Sequence, residues 1–282
     1  MTVQFPDYLT IPAERLGEET PVRVCIGDDM ADIGWRLAAA MFAVIELAQQ
    51  QQRDATLIIP VGPVDQFPIL AETINRQKLD CRGAMFINMD EYLTDDDHWV
   101  RIDHPLSFRG YMNRKFYDLI EPELAPREEN RIFPDPRNPA RIGELIEQRG
   151  GVDACFGGIG INGHMAFNEP PEPGETVTAE EFAALPTRVL DLSRETRTIN
   201  SVTVGGELAV IPRRAVTVGM QEILASRQVR FYCNRLWQSA VVRRVLHSPI
   251  TAACPASLLR THPDAELTIA DYVSQPPDIR LR

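Results

Sequence analysis

A histidine and a glutamate stand five residues apart in a glycine-rich stretch of this chain. Residues 157–170 read GGIGINGHMAFNEP, so His164 and Glu169 follow a run of small residues. The short apolar segment VDACF (152–156) before them is typical of a buried strand. Glycines after a strand let the backbone approach a ligand or adopt positive φ. An imidazole and a carboxylate in such a loop are equipped for acid–base chemistry; the alternative is a glycine-rich turn with one surface histidine.

Two further strand ends supply partners for this histidine. VGP (61–63) follows one apolar segment, and NMDEY (88–92), which contains Asp90 and Glu91, ends another. Taken alone, NMDEY is equally typical of a solvated acidic strand end. Because the carboxyl ends of parallel strands lie along one edge of a sheet, the three loops are expected to share a crevice. Two or three carboxylates and an imidazole would then act together on a small polar molecule.

The elements that must position these residues alternate between strand and helix patterns. Strands are predicted at 21–27, 55–62, 84–92, 152–156, 187–193, 215–220, 228–234 and 266–272, and helices at 30–50, 67–77, 105–119, 139–148 and 237–246. This alternation predicts an α/β fold with a mainly parallel sheet covered on both faces. No linker is composed like a domain boundary, so residues 1–282 are predicted to form one domain. A lid or mobile insertion is expected at about 170–187.

The charge and amino-acid composition of the chain argue against several classes of binding partner. The formal net charge is −11 and no basic stripe is present, which argues against nucleic acid. Five dispersed cysteines fit a reduced cytosol, and neither a signal peptide nor an apolar run of about 20 residues is visible, so a soluble cytoplasmic protein is expected. The acids 95–97 beside His98 are typical of a solvated loop rather than a metal site.

Five motifs together resemble a known family. NMDEY, HPLSF (104–108), GIGINGHMAFNEP, LSRETRTINS (192–201) and AVTVGM (215–220) are similar, in this order, to successive signatures of the glucosamine-6-phosphate deaminase (isomerase) family. The wider group also contains 6-phosphogluconolactonases. The resemblance implies a modified Rossmann-like α/β/α sandwich. It also implies conversion of a 2-amino-2-deoxyhexose 6-phosphate into the ketose 6-phosphate and ammonia through an enediol-like intermediate, with neither metal nor organic cofactor.

The resemblance also implies a role for each residue of the cleft. His164 matches the histidine that opens the sugar ring, Glu169 the acid that works with it, and Asp90 the base that moves a proton from C2 to C1. At position 162 the family usually has an aspartate that orients the histidine; here it is Asn162, whose amide oxygen can still accept a hydrogen bond. The substrate contacts expected around these four residues are Gly62, Glu91, Gly160, Gly163, Arg197 and Arg235.

The phosphate-binding part of the family pattern is altered. In IIPVGPVDQF, Val61 and Val64 replace hydroxyl side chains and Pro63 removes a backbone donor. Val202 stands where the family has an arginine, and Arg235 is the candidate for its phosphate lysine. The substrate is therefore predicted to be an amino sugar or its phosphate. A sugar lactonase and a non-catalytic sugar-binding protein are the alternatives, and a homo-oligomer is left open.

Overall fold

The computed structural model describes residues 4–62 and 65–280. In this part of the chain, seven parallel strands form the central sheet in the order β1-β10-β9-β6-β2-β3-β5, with flanking helices. The strands are β1 Arg23–Gly27, β2 Thr56–Ile59, β3 Met85–Asn88, β5 Arg131–Ile132, β6 Ala154–Gly158, β9 Val229–Cys233 and β10 Ala265–Ala270. The mainly parallel α/β sheet predicted from the sequence is confirmed.

The five predicted helices are present with their ends shifted by no more than a few residues, the one predicted at 105–119 being shortened to 108–115, and four further helices (179–183, 194–201, 220–224 and 271–274) were not predicted. The helices of the described ranges are α1 Met30–Gln50, α2 Gln66–Gln77, α3 Phe108–Lys115, α4 Arg141–Gln148, α5 Ala179–Ala183, α6 Arg194–Ser201, α7 Met220–Leu224, α8 Gln238–His247 and α9 Asp271–Ser274.

Helix α1 shows why these boundaries could be read from sequence. The carboxylate of Asp29 accepts hydrogen bonds from the backbone N–H groups of Ala31 and Asp32, at 2.8 and 2.9 Å, and so caps the helix. Ile33, Leu37, Met41 and Ile45 recur at helical spacing and are buried, which fixes the face that packs against the rest of the protein.

The segment 84–92 differs from its prediction as one strand. The chain leaves the central sheet at Met89, whose N–H still donates to the Ile59 carbonyl at 2.9 Å while its own carbonyl accepts from Val218 N–H at 2.7 Å. Asp90 then begins a strand of a second sheet. Met89 is buried like its neighbours, so the apolar pattern carries no sign of the break.

The second sheet is antiparallel and has the order β4-β8-β7 in the described ranges. Its strands are β4 Asp90–Leu93, β7 Arg188–Asp191 and β8 Arg214–Thr217. A small apolar cluster that includes Tyr92, Phe167 and Ala215 packs beside it, apart from the main core. The alternation of strands and helices predicts these strands as part of the parallel sheet, and this part of the prediction is wrong. The three strands form a separate antiparallel sheet, and its strand β4 begins with Asp90.

The region expected to be a lid contains the short helix α5. Its Phe182 is buried in the main core, whereas residues 172–176 are exposed.

Among the described residues, no helix combines the length and apolar character needed to cross a membrane.

Candidate active site

The loop after β6 is a tight turn that returns on itself. Ile159 and Met165 form an antiparallel bridge, and Gly160 N–H donates to the His164 carbonyl at 2.9 Å. Gly163 has φ +93°, and a Cβ there would lie 2.7 Å from the Cys254 sulfur. The turn therefore requires glycine at position 163 for its own geometry.

This loop is pinned to the strand that pairs with β4. Phe167 N–H donates to Thr217 Oγ1 at 3.0 Å, and the buried Asn168 amide donates to the Val218 carbonyl at 2.9 Å. Thr217 is the register partner of Asp90 in the second sheet. The His164 loop and the strand that begins with Asp90 are thus attached to the same end of β8.

A hydrogen-bond network fixes the protonation of the imidazole. Asn162 Nδ2 donates to Glu169 Oε2 at 2.7 Å, so Asn162 Oδ1 is the atom that faces His164 Nδ1, at 2.9 Å. Glu169 Oε2 lies 3.6 Å from the same nitrogen. Since both oxygens are acceptors, the proton of a neutral imidazole resides on Nδ1. Within the described ranges the hydrogen bonds of the ring are all made at Nδ1, which leaves the Nε2 lone pair for a ligand.

Glu169 is held as a carboxylate. Burial acts to raise its pKa, but the interaction with His164 and hydrogen bonds from Asn162 and Thr196 outweigh burial and lower the pKa to about 2. The ion next to Nδ1 is therefore a permanent negative charge near neutral pH.

Asp90 has the opposite electrostatic character. Its carboxyl is buried and lies beside Glu91, and desolvation followed by repulsion from that neighbour raises its pKa to about 8. Hydrogen bonds that would favour the ion are not among the causes of this shift. Two carboxyl groups with separated pKa values, one about 2 and one about 8, make the arrangement expected of acid–base catalysis.

Glu91 does not have the open position expected of a substrate contact. Its side chain is fully buried and accepts five hydrogen bonds, from Tyr92 N–H, Ser107 Oγ, Phe108 N–H, and the backbone and Nε of Arg109. These donors belong mainly to the first turn of α3. We therefore assign Glu91 to anchoring that helix beneath Asp90 rather than to binding substrate.

Arg197 is also engaged by the protein. Its guanidinium donates to the carbonyls of Leu208 and Ile211 at 3.2–3.3 Å, which ties α6 to the segment before β8. Arg235, in contrast, is exposed directly beyond β9, the neighbour of β6, and its Nη1 lies 3.7 Å from Met30 Sδ. Of the two arginines predicted to contact substrate, Arg235 is therefore the one that lies at the carboxyl edge of the sheet with its charge accessible.

The remaining predicted positions are two glycines and the residues of the altered phosphate-binding pattern. A Cβ at Gly62 would meet nothing within 4 Å, whereas one at Gly160 would stand 2.1 Å from two atoms of the His164 ring. Val61 is half-buried and Val202 is exposed by 70%, so neither gives the edge a polar group. Pro63 and Val64 of the predicted phosphate loop lie outside the described residues.

Two hydroxyl residues of the network were not predicted. Ser193 caps α6 and accepts from Asn162 Nδ2 at 3.3 Å, and the fully buried Thr196 places Oγ1 3.1 Å from His164 Nδ1. The signal available in the sequence was the Ser-x-x-Thr spacing of a helix start inside LSRETRTINS.

Comparison with known proteins gives relatives along most of the chain. No family model matches. The chain is 30% identical over 242 residues to the glucosamine-6-phosphate deaminase of Geobacillus sp. (strain WCH70), a match that covers 84% of this chain and 90% of that protein. It is 28% identical over 251 residues to the glucosamine-6-phosphate deaminase of Staphylococcus saprophyticus, covering 86% and 97%.

Solved structures share the fold. A monomeric glucosamine-6-phosphate deaminase superposes with a TM-score of 0.77 at 24% identity, covering 90% of this chain and 99% of that one. A 6-phosphogluconolactonase from Thermotoga maritima superposes with a TM-score of 0.63 at 13% identity, covering 89% and 100%. The structural matches support the fold, and the identity maintained over nine-tenths of the first relative supports the ancestry. This chain belongs to the glucosamine-6-phosphate deaminase family.

Proposed function

We propose that the protein converts a 2-amino-2-deoxyhexose 6-phosphate into the corresponding ketose 6-phosphate with release of ammonia. The observation that supports this best is that the loop of His164 and Glu169 and the strand that begins with Asp90 are attached to the same end of β8. In this arrangement His164 has an open Nε2, Glu169 is ionised and Asp90 holds its proton. The names of the curated relatives agree with the same reaction. Water is consumed and ammonia released, so the net reaction is hydrolytic although its central step is an isomerisation.

The first step in this proposal is ring opening. The Nε2 lone pair of His164 takes the proton of the anomeric hydroxyl and returns it to the ring oxygen as the ring breaks. Glu169 and Asn162 hold the Nδ1 proton in place during this transfer. Neither residue has to move, because the network exists before substrate binds.

The second step is proton transfer between carbons. Asp90 removes the proton from C2 and delivers one to C1 through the enediol-like intermediate, which leaves an iminium at C2. Water then adds to this carbon, and the C2–N bond breaks to release ammonia and leave the ketose. With a pKa of about 8, Asp90 is mostly protonated near pH 7 in the unliganded protein. The ammonium at C2 of an amino sugar would lower that pKa on binding and create the base where it is needed. A lactone has no such cation, which is why this arrangement favours an amino sugar.

We assign the phosphate to the carboxyl edge of the sheet near Arg235, with Gly62, Gly160 and Gly163 as close backbone neighbours of the sugar. The free thiols of the five cysteines support a cytoplasmic location. We treat residues 1–282 as one domain whose segment 170–187 includes the candidate lid. No assembly is needed for the proposed chemistry, since the four catalytic candidates come from one chain.

The test is ammonia release from glucosamine 6-phosphate and galactosamine 6-phosphate, each measured beside the unphosphorylated sugar, for wild type, Asp90→Asn and His164→Ala. We expect release from a phosphorylated sugar that both variants abolish, with substrate binding to Asp90→Asn retained by calorimetry. Hydrolysis of 6-phosphogluconolactone that survives Asp90→Asn would instead establish the lactonase. Binding of sugar with no turnover of any substrate would establish the non-catalytic sugar-binding protein.

A further inference from the structure

We propose that Thr196 is a positioning residue that, together with Asn162, keeps the proton of a neutral His164 on Nδ1. This inference rests on the proposed function, which assigns His164 to ring opening. Thr196 lies in the first turn of α6, away from the glycine-rich loop, and its side chain is fully buried. Its hydroxyl oxygen stands 3.1 Å from His164 Nδ1.

The hydroxyl of Thr196 is itself held in place. Ser193 Oγ donates to Thr196 Oγ1 at 3.1 Å and accepts from the Thr196 backbone N–H at 3.2 Å. Because Ser193 Oγ also accepts from Asn162 Nδ2 at 3.3 Å, its proton is available for the threonine. The Thr196 oxygen is thus an acceptor on two sides, towards Ser193 and towards Nδ1–H.

The proton of the Thr196 hydroxyl then points away from both of these partners. A hydrogen bond from this side chain is among the causes that lower the pKa of Glu169 to about 2. With the proton of His164 on Nδ1, the ring N–H and the Ser193 hydroxyl each meet an acceptor. Reversing the tautomer would leave Nδ1 facing the acceptor Asn162 Oδ1 without a proton between them.

A merely structural role for Thr196 makes a different prediction. As the third residue of a capped helix, Thr196 donates its backbone N–H to Ser193 whatever its side chain is. Thr196→Val keeps that bond and nearly the same shape but removes the hydroxyl. Thr196→Ser keeps the hydroxyl and loses a methyl group. If the role is packing alone, the serine variant is the more impaired; if it is positioning, the valine variant is.

The experiment combines kinetics with a spectroscopic reading of the ring in unliganded protein. Long-range ¹H–¹⁵N correlation spectra distinguish Nδ1–H from Nε2–H imidazoles, and His164→Gln assigns the signal. We expect the Nδ1–H form in wild type and Thr196→Ser, and a mixture in Thr196→Val. The kcat of Thr196→Val should fall roughly 10- to 100-fold, the range common for outer groups that orient a functional histidine, with KM little changed.

The two readouts separate this proposal from the proposed function. If wild type releases no ammonia, the spectra still test Thr196, and an Nδ1–H signal unchanged by Thr196→Val overturns the inference. If wild type is active, a Thr196→Val enzyme with wild-type kcat overturns it as well. A Thr196→Ser variant that is as slow as Thr196→Val, with an equal loss of melting temperature, assigns Thr196 to packing.

Discussion

The imidazole of His164 lies in the space that a side chain at position 160 would need. A Cβ built on Gly160 would stand 2.1 Å from both Nε2 and Cε1 of the ring, far inside van der Waals contact. The backbone of residue 160 therefore forms one wall of the imidazole site. Glycine at position 160 permits this close approach between the backbone and the His164 ring.

Gly160→Ala is expected to displace the His164 ring and to abolish most turnover while the protein remains folded. Gly158→Ala is the matched control, because a Cβ there would meet its nearest neighbour, the Tyr232 carbonyl oxygen, at an ordinary 3.5 Å. Initial rates of ammonia release and circular dichroism should be measured for both. Equal activity in the two variants would show that the ring has room to move without loss of function.

The raised pKa of Asp90 predicts that this residue lowers stability above acidic pH. Its folded pKa of about 8 exceeds its unfolded value, so between these pH values the native state holds a proton that the unfolded state has lost. The stability that Asp90 contributes is therefore complete below about pH 4, and it is lost progressively as the pH rises towards 8. Asp90→Asn should relieve this loss.

Urea unfolding of wild type and Asp90→Asn at pH 4.5 and pH 8.5 checks the sign. The advantage of the asparagine variant should grow with pH, by on the order of 5 kcal/mol over this interval, since roughly 3.5 pH units separate pH 4.5 from the folded pKa of about 8 and one unit corresponds to about 1.4 kcal/mol. A constant difference between the two proteins would mean that Asp90 ionises normally. The site would then lack the proton-holding carboxyl on which the proposed mechanism relies.

Glu91→Gln should destabilise the fold rather than weaken substrate binding. The substitution removes the charge from a buried acceptor of five hydrogen bonds and leaves Arg109 without its ion pair. We expect a loss of about 3–5 kcal/mol in the free energy of unfolding, as for other buried ion pairs that lose one partner. The exposed Glu46 of α1 provides the matched control, and Glu46→Gln should change stability by less than about 0.5 kcal/mol. A raised KM with unchanged stability in Glu91→Gln would return Glu91 to the substrate contacts.

The comparison of Glu91 with His164 shows what could be predicted from sequence. The parallel sheet and the candidate site residues at three strand ends could be predicted from apolar segments bounded by glycine and acidic residues. Such a segment indicates a buried strand by its own composition, without knowledge of distant contacts. The break at Met89 and the inward turn of Glu91 depend on contacts with residues 107–109 and 218, far along the chain. Thr196 was missed for the same reason, since its partner lies 32 residues earlier.

Val202→Arg is expected to improve recognition of a phosphorylated sugar. Position 202 is where the family has an arginine, and Val202 is exposed by 70%, so an arginine there need not disturb packing. A new charge-assisted hydrogen bond to phosphate corresponds to about a tenfold lower KM for the sugar phosphate, with little change for the unphosphorylated sugar. Arg235→Gln should have the opposite effect on the same substrate.

The control for Val202→Arg is Val210→Arg, which adds the same charge at a valine exposed by 52% in the nearby segment before β8. Steady-state KM values for the phosphorylated and unphosphorylated sugar should be determined for all three variants. If Val210→Arg lowers KM as much as Val202→Arg, the gain comes from long-range attraction of an anion to a protein of net charge −11. If Arg235→Gln leaves KM for the phosphate unchanged, the phosphate is held elsewhere and the loop after β2 becomes the next segment to mutate.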